Sequence, residues 1–272
     1  MGDIEAHQRE AGTGADGHAE PRTHIVSELG MAVRLVGDEL HGSAPVVPEM
    51  YVPGTGFVRT SILATWADVL AGMLIGGLLA PRVPVTLELA VDLYGEPPAC
   101  ASLHGVGRII KAGRSVAVAS VDFTTDGGEP VAMGTASFMA APDVTLTLPP
   151  LATTLAGRHA GGPLTAPFAE RAGCERREPG VAVLARSDDA LNASHTIQGG
   201  LIALAAEEAV LSRAPGTTLA SLAMRYLRPA RVGPLVATAA VHGDLARVDV
   251  RDAGSDGRLT VSATTRTFPP RG

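Results

Sequence analysis

Two carboxylates stand where a charge is costly. Asp68 lies in a run of helical character, 61–79, with Ala64, Thr65, Ala71 and Gly72 one turn away on either side. Glu207 lies in a second such run, 201–212, among Ala203, Leu204, Val210 and Leu211, while Glu208 beside it is expected to face solvent. Burying a lone carboxylate costs free energy unless it is hydrogen-bonded or used, and desolvation raises its pKa toward the range of a general base. Just ahead of the second run stand Gly199 and Gly200. At a helix N-terminus the free N–H groups and the dipole favour a developing oxyanion, and missing side chains let a carbonyl approach the backbone closely. The same pair would equally serve close helix–sheet packing. An acid that attacks or activates water, beside donors that polarise a carbonyl, is the equipment of acyl transfer.

The elements that must position these groups occur twice. A turn-rich stretch at 51–56 leads into the helical run 61–79, then strand-like runs at 85–93, 103–110, 115–123 and 130–140. The second half repeats the order, with 192–200, the helical run 201–212, and strands near 219–227, 235–242, 246–251 and 258–268. Aligned, Asp68 falls opposite Glu207, Val91 opposite Met224 and Phe138 opposite Phe268. The offset falls from 139 to 133 to 130, which needs only longer connections in the first copy. Upstream strand regions are expected at 31–36 with 44–52 for the first copy, and at 180–187 for the second after a short helical start at 167–172. Asp126-Gly127-Gly128 and Ser255-Asp256-Gly257 read as turns, and the segment 141–163, rich in Pro, Thr and Gly, as a linker. A lone helix against one antiparallel sheet buries itself on the concave face.

More specific are Asn192-Ala193-Ser194-His195-Thr196-Ile197-Gln198-Gly199-Gly200, then Glu207, and Tyr226-Leu227-Arg228-Pro229-Ala230 on the next strand. In order and spacing these segments resemble the hotdog-fold thioesterases of the PaaI-like and 4-hydroxybenzoyl-CoA thioesterase type. Eight residues separate Gly199 from Glu207 and fifteen separate Asn192 from Glu207, as in that family. The resemblance implies an α+β fold: a double hotdog of two tandem repeats, each with a long helix wrapped by an antiparallel β-sheet. The expected division is a disordered tail at 1–24, an N-terminal repeat at 25–142, a linker at 143–163 and a C-terminal repeat at 164–270.

In such proteins the sites lie between paired hotdogs. Carried onto this chain, one site joins Asp68 as nucleophile or general base to the Gly199 N–H as carbonyl polariser. Asn192, Gln198 and Thr86 would orient water or the carboxylate. Gln198 stands where the family has His; it can donate a hydrogen bond but cannot carry a proton, and His195 is the other group that could. The second site would join Glu207 to Arg59-Thr60-Ser61, where Pro53 replaces the family's Asn. One working site and one degenerate site are expected, with Glu207 catalytic, structural or paired with Arg59. Coenzyme A would enter as part of the substrate, with no other cofactor, its phosphates met by Lys111, Arg114, Arg228 and Arg231. Trp66, Met73 and Met224 would line an acyl tunnel or simply fill the core.

Composition narrows the classes. The 272 residues are 46% hydrophobic and 18% charged, as in a globular protein. A net charge of −6 with a single lysine, Lys111, argues against a nucleic-acid binder. Cys100 and Cys174 have no metal-like spacing, which suits a reducing, cytoplasmic setting. Residues 1–22 lack the pattern of a signal peptide, and His7, His18 and His24 lack ligand spacing. The apolar stretch 62–80 is long enough to cross a membrane, yet Asp68 and Gly72, Gly76 and Gly77 make it a core helix. The expected partner is an acyl-CoA or acyl-carrier thioester, not nucleic acid or membrane, for a monomer or homo-oligomer. Two other functions compete. An enoyl or 3-hydroxyacyl thioester hydratase-dehydratase pairs an acid with a His five residues away at a helix start, which neither helix here has. A non-catalytic acyl-thioester binder needs only buried, hydrogen-bonded carboxylates.

Overall fold

A computed structural model describes residues 24–156 and 162–269. Apart from His24 the expected tail lies outside the described residues, as do His7, His18 and part of the linker. The elements in chain order are α1 (Ile25–Glu28), β1 (Ala32–Val36), β2 (Glu39–Pro45), α2 (Thr60–Leu79), β3 (Pro84–Leu93), β4 (Ser102–Ala112), β5 (Ala117–Thr125), β6 (Pro130–Ala140) and α3 (Leu151–Ala156). They continue with α4 (Phe168–Arg171), β7 (Cys174–Glu178), β8 (Val181–Leu184), α5 (Gly199–Leu211), β9 (Leu219–Tyr226), β10 (Leu235–His242), β11 (Leu245–Asp252) and β12 (Arg258–Thr267).

All twelve strands form one antiparallel sheet in the order β1-β2-β4-β5-β6-β3-β9-β12-β11-β10-β8-β7. Its sequence of elements is the same counted inward from either edge. At the centre β3 pairs with β9, and Ala90 faces Ala223, 133 residues further on. Leu89 faces Met224 and Val91 faces Leu222. The strands form because apolar side chains alternate: Ala117, Ala119, Val121 and Phe123 of β5 all turn to the core while the residues between them do not. Facing α2, the sheet carries small residues. A side chain at Gly42, Gly105 or Gly134 would collide with Leu70 or Ala67, so the helix settles directly onto the strands.

Helix α2 is 20 residues long with a mean hydropathy of 1.8, enough by length and composition to cross a membrane, but most of that stretch is buried inside the fold. Helix α5 is buried at all 13 positions, between the sheet and α2. The two helices cross so closely that a Cβ on Gly200 would lie 2.7 Å from the Thr65 Cα.

Two expectations about strands change. The strand expected at 44–52 is instead β2, 39–45, because Gly37 at φ +63° lets the chain turn back directly after β1. Strand β7, Cys-Glu-Arg-Arg-Glu, was not expected, since a solvent-facing edge strand needs no apolar alternation. Within 143–163 the described residues include α3, and Thr147 forms a bridge to Arg82, so that part of the segment lies along the end of α2.

Candidate active site

Asp68 projects from the middle of α2 into a cavity of about 370 Å³. Its Oδ1 accepts a hydrogen bond from Thr86 Oγ1 at 2.9 Å, and its Oδ2 accepts one from Gln198 Nε2 at 3.1 Å. A β-bulge in β3 between Thr86 and Glu88 aims the threonine there, putting Thr86 on the same face as Leu89 and Val91. Burial pushes the Asp68 carboxyl up to about 6, with the Thr86 hydrogen bond pulling the other way.

Gln198 is the N-cap of α5 and has two tasks. Its Oε1 accepts from the N–H groups of Gly200 at 2.6 Å and Leu201 at 3.2 Å, and this fixes the amide so that Nε2 points at Asp68. Among the described residues the Gly199 N–H has no hydrogen-bond partner. A Cβ at Gly199 would stand 3.3 Å from Asp68 Oδ2 and 2.9 Å from the Tyr226 hydroxyl. The acid of the first half and the helix start of the second are therefore in contact range, with a free backbone donor between them.

The ahead-lying loop holds this arrangement. Asn192 Oδ1 accepts from the N–H and hydroxyl of both Ser194 and Thr196, and His195 takes φ +56° at the exposed tip. Asn192 therefore organises the loop that starts α5, and the structure gives it no hydrogen bond to Asp68. It lines the cavity with Ala193 and Ser194, whereas His195 does not. Tyr226 is a residue sequence reasoning quoted but gave no task. Its hydroxyl donates to the Gly199 carbonyl at 3.0 Å, and burial, then the Asp68 charge, holds the phenol well above its ordinary range.

His24, assigned to the tail, caps α1 instead. Its Nδ1 accepts from Val26 N–H at 3.2 Å, so Nε2 carries the hydrogen and donates to the Leu191 carbonyl at 2.9 Å. With Val26 and Ser27 it forms one wall of the cavity. Met73 lines the cavity, whereas Trp66 and Met224 are buried core residues that do not.

The surroundings of Glu207 are closed. Glu207 Oε1 accepts from the backbone N–H groups of Thr60 at 2.9 Å and Ser61 at 3.3 Å, and Oε2 accepts from Ser61 Oγ at 2.6 Å. The Arg59 guanidinium, 1% exposed, bonds to both Glu207 and Glu208. Glu207 is 0% exposed and enclosed by these partners. Burial raises its carboxyl and Arg59 pulls against that. Glu208, expected in solvent, is 4% exposed because α5 is enclosed on every side, and Arg176 takes its other oxygen. The surroundings of the two carboxylates differ. Glu207 accepts from the two N–H groups at the start of α2, whereas at the start of α5 the cap is Gln198 and Asp68 bonds to its side chain.

Lys111, Arg114, Arg228 and Arg231 are all exposed, and none lines the cavity. Arg228 bonds to the Leu259 carbonyl at 3.1 Å, and Arg231 lies within electrostatic range of Asp143. Among the described residues no group of three or more His, Cys, Asp or Glu could hold a metal ion.

Gln198→Glu tests the coupling of cap and acid. The new carboxylate keeps both acceptor contacts to Gly200 and Leu201 and places a like charge against Asp68, which raises the Asp68 pKa further. The acid limb of the pH–rate profile is expected to move at least about one pH unit above that of the unaltered protein, and an unmoved limb would uncouple Gln198 from Asp68.

The sequence profile of the thioesterase superfamily matches residues 56–132. No curated protein sequence matches the chain. Among solved structures, an acyl-ACP thioesterase from Bacteroides thetaiotaomicron superposes with a TM-score of 0.59 at 12% identity, covering 85% of this chain and 98% of its own. The tesB protein of Mycobacterium avium subs. paratuberculosis gives 0.60 at 14% identity, covering 90% and 98%. A hot dog fold protein of Alicyclobacillus acidocaldarius gives 0.55 at 18% identity, covering 92% and 100%. The fold is a hotdog fold.

Proposed function

We propose that this chain is an acyl thioester hydrolase with one working site, between Asp68 of the first half and the α5 start of the second. The observation that carries this reading is the raised Asp68 carboxyl beside the unpartnered Gly199 N–H. The thioesterase profile over 56–132 and the thioesterase names of the structural neighbours support it. In the reaction, ionised Asp68 takes a proton from water as the water oxygen attacks the thioester carbonyl. The Gly199 N–H steadies the oxyanion, the C–S bond breaks, and the proton passes from Asp68 to the leaving thiolate. Direct attack by the Asp68 carboxylate, through an anhydride that water then cleaves, uses the same groups.

We read the chain as a double hotdog, with repeats at 25–142 and 164–270 joined by 143–163. The matching strand order and the Ala90–Ala223 pairing, at the offset that aligns Val91 with Met224, support this. Such a chain carries its own pseudo-dimer, so a monomer suffices for the site. We take the substrate as an acyl-CoA or acyl-carrier thioester, with Lys111, Arg114, Arg228 and Arg231 as rim contacts for phosphate, no further cofactor, and a cytoplasmic location.

Free-thiol release from short, medium and aromatic acyl-CoAs tests the reading. Hydrolysis by the purified chain is expected. Reversible hydration of an enoyl-CoA without thiol release would move it to the hydratase class, and tight thioester binding without turnover would make it a binder.

A further inference from the structure

The cavity has two chemically different ends. Around Asp68 its walls are polar, with Thr86, Gln198, Ser194 and His24; further along α2 they are apolar. There α2 lacks side chains at two positions one turn apart, Gly72 and Gly76. Glycine weakens a helix interior relative to alanine. Packing does not demand it here: a Cβ at Gly72 would lie 3.7 Å from the Phe138 ring and one at Gly76 3.4 Å from Leu148 Cδ1, ordinary contacts. What the missing side chains leave is the groove itself. The opposite wall comes from the segment that leads into α3 and from the first turn of α3. The segment after β6 is pinned by the Leu148 N–H to the Pro81 carbonyl at 2.8 Å and by the Thr147–Arg82 bridge. It brings Leu148 and Leu151 over the groove, Leu151 Cδ2 lying 3.2 Å from where a Gly77 Cβ would stand.

We propose that the strap at residues 147–154 closes the far end of an acyl groove, with Leu148 and Leu151 as its stop, so that the protein selects acyl chains of medium length. This rests on the thioester reading of the Asp68 site. From Asp68 to Gly76 the helix advances roughly 12 Å at about 1.5 Å per residue. An extended alkyl chain gains about 1.3 Å per carbon from C–C bonds of about 1.5 Å, so roughly eight to ten carbons bring the chain end to Leu148. The cavity volume of about 370 Å³ falls in the range of small-molecule sites.

The test measures kcat/KM for thiol release across acyl-CoAs from four to sixteen carbons, for the unaltered protein, Leu151→Ala and Gly76→Ala, with melting temperatures alongside. The unaltered protein is expected to peak near eight to ten carbons. Leu151→Ala should raise the ratio of fourteen-carbon to eight-carbon turnover by about tenfold, as an opened groove admits the longer chain. Gly76→Ala should lower the ratio of ten-carbon to four-carbon turnover at least about fivefold while its melting temperature holds or rises. A length profile identical in all three proteins would overturn the proposal. So would equal KM changes at every acyl length, which would place the pantetheine arm in the groove. Calorimetric titration with free six-, ten- and fourteen-carbon carboxylates reads the groove independently of turnover. Length-selective binding moved by Leu151→Ala in a protein that cleaves no thioester would keep the groove and remove the hydrolase reading. Binding without length preference would remove the groove.

Discussion

Asp68→Asn is expected to lower kcat/KM for thiol release by about 10²-fold or more, the usual loss for a catalytic acid–base group, in a protein that still folds. Asparagine keeps the shape and the oxygen that accepts from Thr86 Oγ1, but its amide nitrogen meets Gln198 Nε2, so the variant removes the charge together with the Gln198 hydrogen bond. The pH dependence has a definite sign. Burial holds the Asp68 carboxyl at about 6, so the ionised form dominates above that value and the rate should fall tenfold per pH unit below it. Stability runs the other way. The folded state binds this proton more tightly than the unfolded chain, whose carboxyl titrates near 3.8, so the acid's contribution is fully present below about 4 and is lost as pH rises to 6. Two pH units of linkage at about 1.4 kcal/mol each amount to roughly 3 kcal/mol. The unfolding free energy of Asp68→Asn, measured in urea, should therefore gain on the unaltered protein by that order between pH 4 and pH 7. An active variant would remove Asp68 from the chemistry, and a pH-independent difference would remove the burial argument.

Arg59→Ala is expected to destabilise the fold by about 3–5 kcal/mol, the usual cost of leaving buried charge unpaired. Its guanidinium is the shared partner of two carboxylates that are 0% and 4% exposed. Glu207 retains the Thr60 and Ser61 donors and Glu208 retains Arg176, which places the loss toward the lower end of that range. Combining Arg59→Met with Glu207→Gln and Glu208→Gln removes the charges together and should recover most of the loss, since a buried ionic set gains little over a neutral one that packs. Denaturant midpoints read this directly. Thiol release per folded molecule should stay within about twofold, because none of these residues touches the Asp68 cavity. Activity lost in step with Arg59 would instead make the sealed site a participant.

What could be read beforehand was whatever depends on local pattern. The alternation of β5, the uninterrupted apolar run of α2 with a single acid inside it, and the Gln198-Gly199-Gly200 helix start all appear in the chain as periodicity and spacing. Thr86 and Gln198 both hydrogen-bond to Asp68. The misreadings concern groups whose surroundings come from distant segments. Glu208 looks like a surface residue next to Glu207 until sheet and helix enclose α5 from all sides. Tyr226 takes its task from a carbonyl 27 residues earlier, and His24 from a carbonyl 167 residues later. The strap reads as a Pro- and Thr-rich spacer because nothing in its composition says that Leu148 and Leu151 rest on α2. Asn192 lines the Asp68 cavity, and its oxygen is spent on its own loop.

Under the proposed double-hotdog reading, the central pairing of Ala90 with Ala223 has a genetic corollary. Were the two halves separate identical chains, a single codon change would strike both mouths at once, and an arginine that plugged one would plug the other. Written as one gene, each half mutates alone. One mouth can be riveted shut for strength while its twin keeps its open donor, and the partnership persists at any dilution.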